Sequence, residues 1–575
     1  MKSNKLLKLF ISLFFILSCI SCNRLSKDLH DGTFVGTGRG HNGIIEVEIL
    51  VENGKITEAK IINDHETSGI SSKAKDHILA AFLKDQSTSM LDVVSGASIT
   101  SNGLLDALDM ALAKAQGYET TTVTYHDTSC DIVVIGAGNA GLTAATEAAR
   151  NGANVIVLEK MDTVGGNSRF STGGLNAAYT KEQERLGIKD SKTSFFNDTM
   201  KGGKYMNDPA LVHKLVDESA GIVEWLQQPF IGADLSDVGI FGGSSSKRAH
   251  RPKGGGAIGA HLVPLLSKAA IENGAEIRLN NKVIDIIEEN GAAVGVTVSY
   301  SGGKYNIRSR AVIIASGGFA ANPDMVVMYQ AALAGFGTTN HKGATGDAFA
   351  MVKKFDAELT QMEYIQIHPT VSTSTGIMVT EAVIGNGAIL VNKSGKRFVN
   401  ENETRDIVSA AILKGPGKTA FIVFDQKVRE SLKAIEGYAE AGMLIQGATL
   451  TELAGKLGIN ETVLEESLNK YNKFQAEGKD EDFGRNPNSM NHQLSRAPFY
   501  AIEVAPAIHH TMGGLKINPN AQVMRKNGNP IPGLYAAGEV TGGIHGAERL
   551  GGNAVADVCI FGKIAADSAL KSLKK

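Results

Sequence analysis

Cysteine is scarce. The 575-residue chain has four, Cys19, Cys22, Cys130 and Cys559, and two of them fall within the first 22 residues. So few thiols exclude a disulfide framework, none has zinc spacing, and no CxxCH motif is present to attach haem. Cys130 and Cys559 lie in apolar surroundings and read as core fillers. Proline is low at 13, aromatic residues make up 6%, and Trp225 is the single tryptophan. An excess of one charge is missing as well. With 58 Lys and Arg against 60 Asp and Glu, the net charge of −2 gives no reason to expect nucleic acid as a partner. The apolar run Leu9 to Leu17 falls short of the ~20 residues that span a bilayer. Tandem repeats and low-complexity tracts are absent.

What is present is glycine, 65 residues of it, in a chain that is 43% apolar and 21% charged. That balance is soluble and globular, and high glycine with low proline suits α/β domains whose backbone approaches a cofactor. The length allows several domains, each with its own core. Residues 1–22 stand apart. Lys2, Lys5 and Lys8 precede the apolar run, and small residues follow it, the pattern of an export signal. Ile16-Leu17-Ser18-Cys19 and Cys19-Ile20-Ser21-Cys22 both resemble the lipobox of bacterial lipoproteins. The expectation is an exported protein on the periplasmic or cell-surface side, lipid-anchored to the membrane through Cys19 or Cys22.

The first domain runs over about residues 30–117. IIEVEILVENGKITEAKII alternates apolar and polar residues around Asn53-Gly54, a hairpin signature, and KAKDHILAAFLK reads as a helix. Residues 117–129 form a polar linker. From Cys130 the pattern changes to strand (DIVVIG), glycine turn, helix (LTAATEAARNG) and strand (ANVIVLEK), a βαβ unit. The same pattern resumes at RAVIIASGG, GLYAAGEVTGG and GGNAVADVCIFGKIAADSAL. Residues 363–507 interrupt it.

Two flavin sites are expected. Asp92 to Ser101 (DVVSGASITS) resembles the covalent FMN site of small FMN-binding domains in membrane redox complexes. In those, a flavin transferase joins FMN phosphate to the last Thr of SGA(S/T)xT, here Thr100. Small residues leave backbone amides open to phosphate, and a helix expected to start near Asn102 turns its positive end toward it. The second site is GxGxxG at Gly136, Gly138 and Gly141, between strand and helix, with Glu159 closing the next strand. The glycines admit a pyrophosphate, and the acid accepts from ribose hydroxyls.

That fingerprint alone does not separate FAD from NAD. GGNSRFSTGGLNA, ATGDA and GLYAAGEVTGGIHGAERLGGNAVAD resemble the fumarate reductase and succinate dehydrogenase flavoproteins. The resemblance implies non-covalent FAD, with Ala140, Asn167, Ser168, Thr172, Gly173, Val283, Asp347 and His510 lining it. It also implies that Glu539 holds the ribityl chain and that Ala554 and Val555 meet the flavin.

Four further stretches, IQIHPT, GIMVTEAVIGNGAILVNKSGKRFVNENETRD, IHHTMGG and HGAERLGG, resemble the soluble flavocytochrome c-type fumarate reductases and related urocanate reductases from about residue 128 to the end. The N-terminal FMN domain, in place of a haem domain, looks more like the urocanate reductase arrangement. The resemblance implies that His509 and Arg549 bind one carboxylate, while His368 and Thr380, with Met378 nearby, bind the other. It makes Arg405 the proton donor, supplied through Glu381. On chemistry alone Arg405 reads as a carboxylate clamp, because arginine is a poor acid; the family pattern promotes it. One position departs: the family reads TEAVRGNG, and this chain has Ile384 where the arginine of the proton route stands.

The expected architecture is α/β. A Rossmann-like FAD-binding domain (128–362 and 508–575) carries an inserted α+β capping domain (363–507) and follows a small α+β FMN-binding domain (30–117). The expected reaction is reduction of the C=C bond of a small unsaturated carboxylate, fumarate first, with urocanate, acrylate, methacrylate or a cinnamate as alternatives. Electrons would come from a separate membrane or periplasmic donor through FMN to FAD. A desaturating flavoenzyme would instead turn over a saturated substrate with an artificial acceptor. An electron-shuttling flavoprotein would depend on Thr100 and not on Arg405.

Overall fold

The structure, a computed structural model, describes residues 29–39, 43–64, 70–88, 98–116 and 124–574. The signal with Cys19 and Cys22, the Ser95-Gly96-Ala97 part of the FMN motif, and residues 117–123 of the linker lie outside these. The chain separates into two units, Met1–Thr122 and Val123–Lys575.

The first unit is a meander of three antiparallel strands, β1 (Gly32–Arg39), β2 (Ile44–Glu52) and β3 (Lys55–Asn63). Asn53 and Gly54 close the hairpin with φ of 52° and 71°, the twist that matches a two-residue turn. Alternation puts Ile45, Val47, Ile49 and Val51 on the buried face of β2. Helices α1 (Ile70–Asp85) and α2 (Ser98–Ala115) contribute Ile78, Phe82, Leu104 and Leu108 to the same core. A Cβ at Gly36 would lie 2.0 Å from the Ala107 carbonyl oxygen, and one at Gly38 2.0 Å from that of Gly103. Those glycines let α2 rest directly on β1. The helix begins at Ser98, four residues before the expected Asn102, so Thr100 is buried within its first turn and does not precede it.

The second unit is built on a mixed sheet. Parallel β4 (Thr128–Ile135), β5 (Val155–Leu158) and β6 (Glu276–Arg278) continue through β7 (Lys282–Glu289), β8 (Ala292–Tyr300) and β9 (Gly303–Ile314) in the order β7-β8-β9-β4-β5-β6. Helix α3 (Asn139–Arg150) joins β4 to β5. A sheet buried on both faces reads as unbroken apolar runs, and Ile132, Val133 and Val134 are fully buried.

A second sheet interrupts this pattern. β10 (Ile365–Ser372), β11 (Ile389–Val391), β12 (Ala420–Asp425) and β13 (Phe499–Thr511) are ordered β10-β13-β12-β11, and α4 (Arg405–Lys414) precedes β12. The expected cap boundary at 507/508 falls inside β13, a single strand paired with β10. The chain then returns to the first sheet as β14 (Pro530–Ala536), parallel to β9, and ends in α5 (Asn553–Leu573). Cys559 sits in the core and Cys130 packs against it. Among the described residues, no helix is long and apolar enough to cross a membrane.

Candidate active site

β4 ends at Ile135 and α3 starts at Asn139, so the glycine turn occupies the gap between strand and helix. A Cβ at Gly141 would sit 1.9 Å from the Gly136 carbonyl oxygen. Gly141 therefore locks turn to helix and does not face the cleft beyond. Of the residues expected around FAD, that cleft is lined by Gly136, Gly138, Ala140, Glu159, Asn167, Ser168, Val283, Asp347 and Glu539. Gly173, by contrast, backs onto Phe241, 3.3 Å from a notional Cβ. Ala554 and Val555 lie in the first turn of α5, and Thr172 is half-buried outside the cleft wall.

The acids of the cleft are already engaged. Glu159 accepts from the Ala137 and Met161 amides, both at 2.9 Å, and burial pushes its carboxyl pKa up. Asp347 pairs with Lys160 at 2.9 Å and Lys282 at 3.2 Å. Burial opposes its ionisation, but the lysines outweigh that and hold its pKa below the ordinary range. Lys160, Lys282, Ser316, Gly317 and His341 also line the cleft; Lys160, Ser316 and Gly317 lie in the ANVIVLEK and RAVIIASGG segments without having been singled out as cofactor contacts. A cofactor fits here on three observations. Gly166 and Gly317 face open space, buried Asn139 Oδ1 and Ser316 Oγ have no partner, and α3 directs its N-terminal amides toward the turn. These residues suit a dinucleotide such as FAD.

The second centre is a buried charged cluster. Its backbone device is a β-bulge: Gln366 pairs with His510 and Ile367 with Ile508, which leaves His509 as the extra residue of β13. Bulges re-aim side chains beside functional sites. Here two adjacent imidazoles enter one cluster. His509 Nδ1 is 2.7 Å from Thr339 Oγ1, and its ring lies edge-on to His368 with centroids 5.0 Å apart. His368 is buried on β10, 3.8 Å from Glu381. Arg405, the first residue of α4, stands where a helix dipole does not favour a cation. Glu381 offsets this, accepting from Nε at 2.7 Å and from Nη2 at 3.3 Å.

One side chain joins the two arginines. Gln366 Oε1 accepts from Arg405 Nη1 at 2.9 Å and from Arg549 Nη2 at 2.8 Å. Arg549 is buried, and its Nε has no partner. Thr380 is buried, its amide donating to Tyr438 at 2.9 Å. Met378 is half-buried and bridges to Val371 through the backbone. His510 lies 3.6 Å from Glu539, a carboxylate that lines the cleft and also accepts from Asn167 at 3.3 Å. Asn340 makes a second tie: it bonds the Asn167 side chain and donates to the His509 carbonyl at 2.9 Å. Cleft and cluster thus share hydrogen-bonded side chains.

The electrostatics follow from burial beside two guanidinium groups. Burial, then Arg405, lowers the His368 pKa to about 3; the same causes hold His509 well below its usual value. Burial and Arg549 do likewise for His510. These histidines are neutral donors or acceptors at pH 7. Burial and Arg405 bring Arg549 down to about 9. Burial works against the charge on Glu381, yet Arg405, His368 and Arg549 outweigh it and hold it at about 2. Two guanidinium groups face one fully ionised carboxylate, Glu381, and neutral imidazoles, an arrangement that attracts an anion. Of the residues expected to bind substrate or move its proton, the structure brings His368, Glu381, Arg405, His509 and Arg549 to one place, while Thr380 adjoins them only through its chain neighbour Glu381. Sequence reasoning missed Gln366, Asn340 and Glu548, whose buried carboxyl accepts from the Gln366 amide, although Gln366 shares the His368 face of β10 by the two-residue period of a strand.

Residues 131–555 match the FAD binding domain family, and residues 40–113 match the FMN-binding domain family. A fumarate reductase (cytochrome) of Shewanella frigidimarina is 46% identical over 470 residues, covering 81% of this chain and 81% of its own. The urocanate reductase of Eggerthella lenta is 33% identical over 568 residues, 93% of this chain and 92% of its own. Among solved structures, the open conformation of a flavocytochrome c3 fumarate reductase is similar, with a TM-score of 0.67 and 40% identity over 81% of this chain and 84% of that one.

Proposed function

Because the chain belongs to the FAD-binding family of fumarate and urocanate reductases, flavoenzymes that act on carbon–carbon bonds, and carries an FMN-binding domain, we propose that it reduces fumarate to succinate. The observation that carries the reading is the shared acceptor: Arg405 and Arg549 both bond Gln366 Oε1, with His368 and His509 alongside. Such a cluster suits a small dianion, and each neutral imidazole can donate to a carboxylate oxygen.

When bound in the cleft and reduced, FAD supplies the hydride. The protein does the rest. Arg549 and His509 hold one carboxylate and draw developing negative charge toward it; His368 and Thr380 hold the other. Arg405 presents a proton to the second alkene carbon, and Glu381 fixes the guanidinium so that Nη1 and Nη2 stay aimed. Closure of the segment bearing Arg405 would exclude water. In the same reading FMN, attached to Thr100 by a flavin transferase, receives electrons from a separate membrane or periplasmic donor. The exported chain is held at the membrane by a lipid on Cys19 or Cys22.

The likeness to the urocanate reductase over both domains supports a second reading, urocanate as substrate. The test is anaerobic reoxidation of reduced methyl viologen by fumarate, urocanate, acrylate, methacrylate and cinnamate. Fumarate should be turned over fastest. Fast turnover of urocanate with none of fumarate would replace the first reading by the second.

A further inference from the structure

Ile384 is buried against a small cavity on the Arg405 side of the cluster. An isoleucine cannot carry a proton, so Glu381, the partner of Arg405, has no titratable neighbour at that position. The same cavity is lined by a carboxylate from a different segment, Glu548, together with Arg405 and Glu381. Its volume is about 30 Å3, room for about two waters. Glu548 is buried and accepts from Gln366 Nε2, while the other end of that amide accepts from Arg405 at 2.9 Å. Asp406 and Lys204 both interact electrostatically with Glu548 and form an ion pair at 2.6 Å whose lysine side chain is 56% exposed.

We infer that Glu548 is the residue through which protons reach Arg405 in this chain, by way of water in the cavity beside Ile384. This rests on the reading of Arg405 as proton donor. Per turnover the substrate gains one hydride and one proton, the latter from Arg405. Neutral Arg405 then takes a proton from the Glu548 carboxyl through water, and the Glu548 carboxylate takes one from solvent at the Asp406–Lys204 rim.

The charges facing Glu548 suit that exchange. Burial, then repulsion by Asp406, raises its carboxyl pKa to about 7, against the pull of Gln366, Arg405 and Arg549. Lys204 adds a cation from the rim. Glu381, Glu401 and Glu403 share the cavity wall; of these, Glu401 is bound to Arg397 and Arg485 and Glu381 to Arg405. A relay works best when its pKa lies near the working pH. Glu548 acts through Arg405 and positions the proton; it is not proposed to touch substrate.

The test uses the full-length flavoprotein with reduced viologen and fumarate, for Glu548→Gln and Glu548→Asp. In the wild type, kcat should decline as pH rises through neutrality and Glu548 loses its proton. Glu548→Gln should lose that limb and turn over about tenfold or more slowly at pH 7, with flavin content unchanged. Glu548→Asp should keep the limb. Infrared difference spectra should show a protonated carboxyl that titrates near neutrality and vanishes in Glu548→Gln. A Glu548→Gln protein with wild-type rate and pH profile, one that is slow with the limb intact, or a wild type lacking that infrared band would overturn the relay alone. A wild type that reduces no enoate would overturn the reading of Arg405 as well.

Discussion

The cleft and the charged cluster adjoin, yet they are built on opposite principles. The cleft is made of backbone: Gly136 lets the turn pass against Ala315, Gly138 and Gly317 leave room, and its acids are capped by amides or lysines. The cluster is made of side chains, with Arg405, Arg549, Glu381 and three histidines gathered from distant segments. Steric exclusion decides the first, and electrostatic balance decides the second. Damage to the cleft should therefore cost cofactor and stability together. Damage to the cluster should cost turnover while cofactor stays.

The largest effect should come from Gly141→Val. Its Cβ would meet the Gly136 carbonyl oxygen at 1.9 Å, and overpacking of this kind costs about 3 kcal/mol or more. The purified variant should lack FAD by absorbance and melt well below the wild type. A variant that keeps FAD would break the comparison. Next is Arg405→Ala, which should retain both flavins while kcat for fumarate falls about a thousandfold. Loss of FAD in that variant would mean that cluster and cleft are a single structural unit.

The two regions also differed in how much the sequence disclosed. GxGxxG with its flanking strand and helix is local, so the turn, Glu159 and the βαβ unit were legible within a short window. The cluster was legible only because motifs far apart resembled one family. What stayed hidden depends on backbone irregularity and on long-range partners. The bulge that turns His509 inward arises from pairing between β10 and β13, which no local pattern encodes. Gln366 lies in the IQIHPT stretch beside His368, and its role appears only when two guanidinium groups meet its side-chain carbonyl. The start of α2 was placed late because Ser98 and Thr100 read equally well as a cap or as a first turn.

Gln366→Leu sharpens the comparison at intermediate size. The leucine fills similar volume but offers no acceptor to Arg405 or Arg549. Hydrogen bonds to charged groups are worth about 2 kcal/mol, so kcat/KM for fumarate should fall roughly thirtyfold, with FAD retained. An unchanged kcat/KM would show that the arginines are positioned by Glu381 and the main chain alone.

The last effect is the most diagnostic, because the cluster histidines and the two raised acids of the cleft, Glu159 and Glu539, should carry opposite pH signatures. In the cluster, the folded pKa of His368 is about 3, and those of His509 and His510 are also far below the usual value. Between those values and the unfolded value near 6.5, the unfolded chain binds protons that the folded one refuses. Stability is therefore full above about pH 6.5 and declines on acidification, by about 1.4 kcal/mol per pH unit for each histidine inside its window. In the cleft, burial raises the pKa of Glu159 and of Glu539. Their contribution has the other sign: it is full below the unfolded carboxyl value and is lost as pH rises through the folded one. Melting temperature against pH should then respond to His509→Asn by flattening on the acid side, and to Glu159→Gln by flattening on the less acidic side. A dianion bound between Arg549 and His368 would offset the positive field and raise the histidine pKa values, so saturating succinate should shrink the acid loss in the wild type. If both substitutions altered the same limb of the curve, the separation of a steric cleft from an electrostatic cluster would fail, however well each variant retained its flavin.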